Sequence, residues 1–238
     1  MKIILCGYNW VGCKALDLLI SSGHEVFVYT HSSQYYTNDL ESFCKKKGVA
    51  YTLEKIDEAN LPFLPEVIAS IYYRYIISKS VIDACNGKIF NLHPSLLPEY
   101  KGCSSLTWAM IDGLNTSGYT YHYLTTEVDK GKIIIQKEVA IEDFDTQVSL
   151  YYRVMFDAVK DFLNVVDLVN RGFEGLEQDK DQGKYFKRGA PYQGAIDPGW
   201  ELEKKERFIR AMIFPPLPLA TFNGKPVANL SDIQGADK

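Results

Sequence analysis

Asn91-Leu92-His93-Pro94-Ser95-Leu96-Leu97-Pro98 sets an amide and an imidazole two residues apart, directly after the apolar run Lys88-Ile89-Phe90. A carboxylate, Asp129, follows in the stretch Tyr119 to Gly131 (YTYHYLTTEVDKG). An amide donor, a proton carrier and a group that orients the carrier suit the movement of an acyl group onto an amine. Histidine is the natural carrier near neutral pH. Taken singly, each residue has a plainer reading. Asn91 fits a turn at a strand end, His93 a packed histidine before a proline, and Asp129 an Asp-Lys-Gly turn. The combination points to chemistry.

These residues need a scaffold that brings strand ends together. Lys2–Cys6, Glu25–Tyr29, Glu66–Tyr73 and Lys88–Leu92 are short apolar runs, the pattern of buried strands. Helical spacing appears over Val11–Ile20, Asn38–Lys47 and Ser78–Cys85 between them. Alternating strands and helices predict an α/β fold, a mostly parallel Rossmann-like sheet with helices on both faces. Ligands of such sheets sit at the carboxyl ends of the strands, where Asn91 and His93 fall. Residues 119–124 and 132–141 read as an antiparallel pair. Asp145-Thr146 reads as the cap of a long helix reaching Asn170, with Val148, Tyr151, Met155, Ala158, Phe162, Val166 and Val169 on its buried face. Residues 1–170 are expected to form the catalytic domain. Residues 171–238 are expected to be an extension with a helix over 201–212 and a terminal hairpin turning at Asn223-Gly224. Pro226 confines its strand to an edge.

The chain has 238 residues, 46% apolar and 24% charged, with a net charge of −4. A protein that binds along a nucleic acid is usually basic, so no nucleic-acid partner is expected. No apolar run has the length of a membrane span, and MKIILCGYNWVG lacks the core of a signal peptide. A cytoplasmic protein without a membrane partner is expected. Five cysteines with no CxxC pair argue for reduced thiols and against a structural zinc; no metal is expected. Cys103 has nothing that marks an activated thiol. His122 lies among aromatic residues and reads as structural. Gly7-Tyr8-Asn9-Trp10-Val11-Gly12 lacks the second glycine of the dinucleotide fingerprint.

Three pieces, Ser70–Ser78 (SIYYRYIIS), Asn91–Gly102 (NLHPSLLPEYKG) and Tyr119–Val139 with its VDKGKIIIQKEV ending, resemble the 10-formyltetrahydrofolate-dependent formyltransferase family in order and spacing over roughly residues 1–170. In the tail, Tyr185–Gly189 (YFKRG), Ala195-Ile196-Asp197 and Phe208–Ala211 with Phe214-Pro215-Pro216 resemble more loosely the bacterial sugar N-formyltransferases. The resemblance implies the formyltransferase fold and Asn91, His93 and Asp129 as the catalytic set. It implies 10-formyltetrahydrofolate as co-substrate, held largely by backbone around Tyr75 and Ile77 and in the loop of Glu127 and Asp129.

The acceptor it implies is a nucleotide-linked amino sugar, taken here as a dTDP-4-amino-4,6-dideoxyhexose for bacterial O-antigen. Tyr8, Asn9 and Trp10 in the first loop, Arg74, Lys187 and Arg188 are the substrate-binding candidates. Each has a plain alternative: a strand–helix turn, core packing, a surface ion pair or a solvated basic pair. The alternatives for the whole protein are a purine-pathway enzyme acting on glycinamide ribonucleotide and a non-catalytic nucleotide-sugar or folate binder. A homodimer through the C-terminal hairpin is expected, because its edge strand needs cover.

Overall fold

The computed structural model describes residues 1–32, 39–179 and 181–234. In chain order the first elements are β1 (Lys2–Gly7), α1 (Asn9–Ser21), β2 (Glu25–Tyr29), α2 (Leu40–Lys47), β3 (Tyr51–Thr52), β4 (Val67–Ile71), α3 (Lys79–Ala84) and β5 (Ile89–His93). There follow β6 (Lys101–Gly102), α4 (Ser105–Ile111), β7 (Thr116–Tyr123), β8 (Ile133–Ala140) and α5 (Gln147–Asn170). The tail holds β9 (Tyr185–Phe186), α6 (Leu202–Ala211), β10 (Ala220–Phe222), β11 (Lys225–Val227) and α7 (Leu230–Gln234).

A seven-stranded sheet has the order β3-β2-β1-β4-β5-β7-β8. Its pairs from β3 to β5 are parallel, and β5 pairs with β7 antiparallel. The fold is therefore mostly parallel, as the alternation predicts. Chain order reverses at β1, which pairs with β2 on one side and β4 on the other. β1 and β4 are buried along nearly their whole length, which is why both read as unbroken apolar runs. β4 stops at Ile71 because Tyr72 takes a left-handed φ of 60°, two residues before the end expected from sequence. α2 begins after Asp39, whose carboxylate accepts from Glu41 N at 2.9 Å, and ends on left-handed Gly48. Asn38, placed in this helix by the sequence reading, lies outside the described residues.

The chain divides into two compact units that interleave in sequence. The first comprises Met1–His93, Thr120–Gln136 and Asp157–Asp179; the second comprises Pro94–Tyr119, Lys137–Phe156 and the described residues of Lys180–Lys238. The first unit has its core around Ile4, Cys6, Tyr29, Ile68, Val81 and Ile89. Burial pushes the Cys13 and Cys85 thiols up to about 11 and Cys44 to about 12, so these cysteines act as packed apolar residues.

In the second unit, Phe186 stacks on Trp108, and Tyr192 meets Trp108, Trp200 and Phe208 edge-on. The short strands β6 and β9 pair in parallel there, joining Lys101-Gly102 to Tyr185-Phe186. A Cβ on Gly102 would stand 2.2 Å from the Phe186 carbonyl oxygen, so this glycine is needed for the close approach. Two of the sequence stretches that carry the resemblance, NLHPSLLPEYKG and YFKRG, are thus bonded to each other. β10 and β11 form the expected hairpin, with Asn223 at φ 49° and Gly224 at φ 76°.

Candidate active site

β4, β5 and β7 run side by side, and their registers place Ser70 opposite Asn91 and Asn91 opposite His122. Cross-strand partners project to the same face of a sheet. Three polar side chains therefore form a row across three strands. Ser70 Oγ lies 3.0 Å from Asn91 Oδ1, and Asn91 Nδ2 lies 3.3 Å from His122 Nε2. His93 is two residues beyond Asn91 and returns to that face.

Asp129 comes from the turn after β7. Its backbone is left-handed, with φ 54°, a region that Asp tolerates better than most residues. The turn glycine has another role: a Cβ on Gly131 would stand 1.7 Å from the Tyr123 carbonyl oxygen. Gly131 lets the turn fold back against β7, and Asp129 itself takes the left-handed conformation. The side-chain amide of Gln178 bridges this turn, its Nε2 donating to the carbonyl oxygens of Asp129, at 3.1 Å, and Gly131. Gln178 is buried, and its Oε1 has no hydrogen-bond partner among the described residues.

So held, the Asp129 carboxylate faces two imidazoles: Oδ2 is 3.5 Å from His93 Nδ1, and Oδ1 is 3.5 Å from His122 Nε2. His93, His122 and Asp129 are 3%, 1% and 8% exposed, whereas Asn91 is only partly buried. With Nδ1 toward Asp129, His93 presents Nε2 on the other side of its ring, the position of a proton carrier. Catalytic hydrogen bonds of this kind tighten toward the transition state, so a 3.5 Å separation is compatible with the role.

The structure brings Asn91, His93 and Asp129 together, and adds Ser70, His122 and Gln178, which the sequence reading did not assign to the site. Tyr8, Asn9, Trp10, Arg74, Tyr75 and Ile77 lie in the same unit, after β1 and β4. Asn9 Oδ1 accepts from Val11 N at 2.9 Å, so this side chain is bonded to the first turn of α1. Tyr8 stacks on His31 with centroids 4.1 Å apart, and the Arg74 guanidinium sits 5.5 Å from the Tyr75 ring centre. Ile77 is part of the core, which leaves its backbone as its polar contribution. Glu127 is exposed and pairs with Lys130 at 2.9 Å. Lys187 and Arg188 belong to the second unit and are exposed. The polar face of β7, Thr120 and His122 alternating with Tyr119, Tyr121 and Tyr123, is the signal that separates His122 from its aromatic neighbours.

The chain is similar to known proteins along most of its length. The family described as "Formyl transferase" matches residues 20–166. The GDP-perosamine N-formyltransferase of Brucella melitensis is 32% identical over 227 residues, covering 92% of this chain and 87% of its own. The bifunctional polymyxin resistance protein ArnA of Wigglesworthia glossinidia brevipalpis is 31% identical over 228 residues, covering 90% of this chain and 35% of its own. Among solved structures, the N-formyltransferase from Helicobacter canadensis, in complex with folinic acid and dTDP-3-aminofucose, superposes with a TM-score of 0.81 at 20% identity, covering 96% of this chain and 87% of that one. That last likeness speaks for the fold, including the tail. No helix among the described residues is long and apolar enough to cross a membrane. On the family match and the sequence identity to its relatives, this chain belongs to the formyl transferase family.

Proposed function

We propose that the protein transfers the formyl group of 10-formyltetrahydrofolate to the amino group of a nucleotide-linked amino sugar, a dTDP-4-amino-4,6-dideoxyhexose, for a bacterial O-antigen. The observation that carries this reading is the buried His93–Asp129 pair with Asn91 beside it on the sheet. The acceptor class, a nucleotide-linked amino sugar, is supported by a relative named for GDP-perosamine and by a protein of the same fold crystallised with dTDP-3-aminofucose. The reaction forms a C–N bond to the acceptor amine and breaks the bond from the formyl carbon to the folate nitrogen. As the amine adds, the carbonyl oxygen gains negative charge, which the Asn91 side-chain amide stabilises, joined by Nε2–H of His93 once that nitrogen holds the amine's proton. His93 takes the proton from the cationic amine and returns one to the departing nitrogen, and Asp129 orients and polarises it. Tyr75, Ile77, Glu127 and Asp129 hold the folate through backbone groups in this reading. Tyr8, Asn9, Trp10, Arg74, Lys187 and Arg188 take the nucleotide part. Residues 1–170 would carry the chemistry, and residues 171–238 would supply acceptor contacts and a homodimer contact through the β10–β11 hairpin. The proposed location is the cytoplasm.

The test is incubation with 10-formyltetrahydrofolate and a panel of dTDP- and GDP-linked amino sugars plus glycinamide ribonucleotide, with product mass as the readout. One added formyl group on a dTDP-4-amino sugar supports the whole reading. Formylation of a GDP sugar alone keeps the reaction and replaces the nucleotide, whereas formylation of glycinamide ribonucleotide alone overturns the acceptor class.

A further inference from the structure

We infer that Ser70 and His122 are positioning residues that fix which end of the Asn91 amide meets the reacting carbonyl. The inference rests on the proposed role of Asn91. An oxyanion is stabilised by Nδ2–H and repelled by Oδ1, and the two ends of the amide have the same shape. Something must choose between them.

The choice begins at a backbone carbonyl. His122 Nδ1 lies 2.9 Å from the carbonyl oxygen of Tyr123, which can only accept. Nδ1 therefore carries the hydrogen. In a neutral imidazole the other nitrogen, Nε2, is then a lone pair. Asn91 stands 3.3 Å from it and must present its NH2 group there. That leaves Oδ1 toward Ser70, whose hydroxyl donates across 3.0 Å. The assignment follows from partner chemistry, without reference to which amide atom is labelled nitrogen. A reversed amide would set Oδ1 against the Nε2 lone pair, two acceptors face to face.

Nδ2 has two hydrogens, and His122 engages one. The second diverges from the ring, and Asn91 is the only one of the cluster's four members Asn91, His93, His122 and Asp129 that is not buried. The row Ser70–Asn91–His122 thus leaves one oriented donor for the substrate oxygen. Its parts sit on β4, β5 and β7, whose registers fix their spacing, so the orientation is set before substrate arrives. Asp129 Oδ1 lies 3.5 Å from the same Nε2, longer than the 2.9 Å from Nδ1 to the Tyr123 carbonyl oxygen, so the shorter contact takes the ring hydrogen.

The first test needs no acceptor: 15N spectra of histidine-labelled protein read the His122 tautomer. Hydrogen on Nδ1 and not on Nε2 is expected, and hydrogen on Nε2 would overturn the inference. The second is a kinetic cycle. His122→Leu should lower kcat about tenfold to a hundredfold, somewhat less than loss of a whole oxyanion donor, with KM for both substrates little changed. His122→Gln should recover most of that loss, because its Oε1 can accept where Nε2 did, and Ser70→Ala should show a smaller loss of the same kind. In an Asn91→Ala background His122→Leu should have no further effect on kcat. An equal loss in both backgrounds would mean that His122 acts without Asn91 and would sink the inference. If Asn91→Ala itself leaves kcat unchanged, the role proposed for Asn91 falls first.

Discussion

Asp145 and Asp129 are both buried carboxylates, one in each unit, and they are held in opposite ways. Asp145 is fully buried and closed by a permanent cation. Arg153 Nη1 donates to Oδ1 at 3.1 Å, and Nη2 pairs with Oδ2. Ser149 Oγ and Glu142 N each donate at 2.8 Å, and Arg210 Nη1 donates to the Asp145 carbonyl oxygen at 2.7 Å. Asp129 faces two imidazoles, whose charge depends on a proton, from a backbone in a left-handed conformation. Arginine does not exchange its proton in a protein, whereas histidine does. A carboxylate locked by arginine stabilises one arrangement of chain. A carboxylate between histidines can follow a proton through a reaction.

The largest effect expected from this contrast is on turnover. Asp129→Asn keeps the shape and suits a left-handed backbone, but removes the charge that orients His93. We expect kcat to fall roughly 10²- to 10⁴-fold, the range for a general acid–base group, with the urea midpoint nearly unchanged. A folded Asp129→Asn enzyme with wild-type kcat would remove the contrast altogether. The mirror experiment is Arg153→Leu, which leaves a buried carboxylate without its guanidinium. A loss of stability of roughly 3 kcal/mol is expected, the low end for breaking a buried pair because Arg153 is about a third exposed. Turnover per folded molecule should stay at the wild-type level. Smaller again is Gln178→Leu. It withdraws the amide from two buried carbonyls, so about 1–3 kcal/mol of stability should be lost, together with part of kcat as Asp129 loses its seat. A loss of stability with no change in kcat would make Gln178 a packing residue only.

The same two carboxylates show what a sequence discloses. The long elements were legible because their apolar period runs far enough to be read. β1, α1, β2, β5 and α6 fall close to where spacing puts them, and the buried face of α5 holds except that Val148 is half-buried. The hairpin was legible from Asn223-Gly224. The two-residue strands β6 and β9, and the short helices α4 and α7, have no period to read. Asp145 was read as a helix cap with Thr146. Thr146 Oγ1 does accept from Ser149 N at 3.4 Å, but Asp145 is committed to Arg153, eight residues away, which no local rule announces.

In the first unit Asn91, His93 and Asp129 could be named because the motif carries them together. Ser70 was hidden inside the apolar strand β4, and His122 among tyrosines. Their roles come from strand register, which sequence spacing does not contain. Gln178 lies in a stretch with no period at all. Its contact with Asp129 joins residues 49 positions apart.

The finest test of the contrast is acid. Burial alone would raise the Asp145 carboxyl, but Arg153, the Glu142 N–H and Ser149 outweigh it and hold the group below the ordinary carboxylate value. A group whose folded pKa is lowered binds more protons in the unfolded chain. Its contribution is therefore present above the unfolded value, about 3.9 for Asp, and is lost as pH falls through the folded one. Urea unfolding at a series of pH values between about 3 and 7 should show wild-type stability falling more steeply at the acid end than that of Asp145→Asn, which has no carboxyl to titrate at this position. The separation should close as pH falls, because the wild-type carboxylate is then protonated and resembles the amide in charge. Parallel curves across the series would mean that Arg153 does not hold Asp145 ionised, and the distinction between a locked carboxylate and a proton-exchanging one would lose its first half.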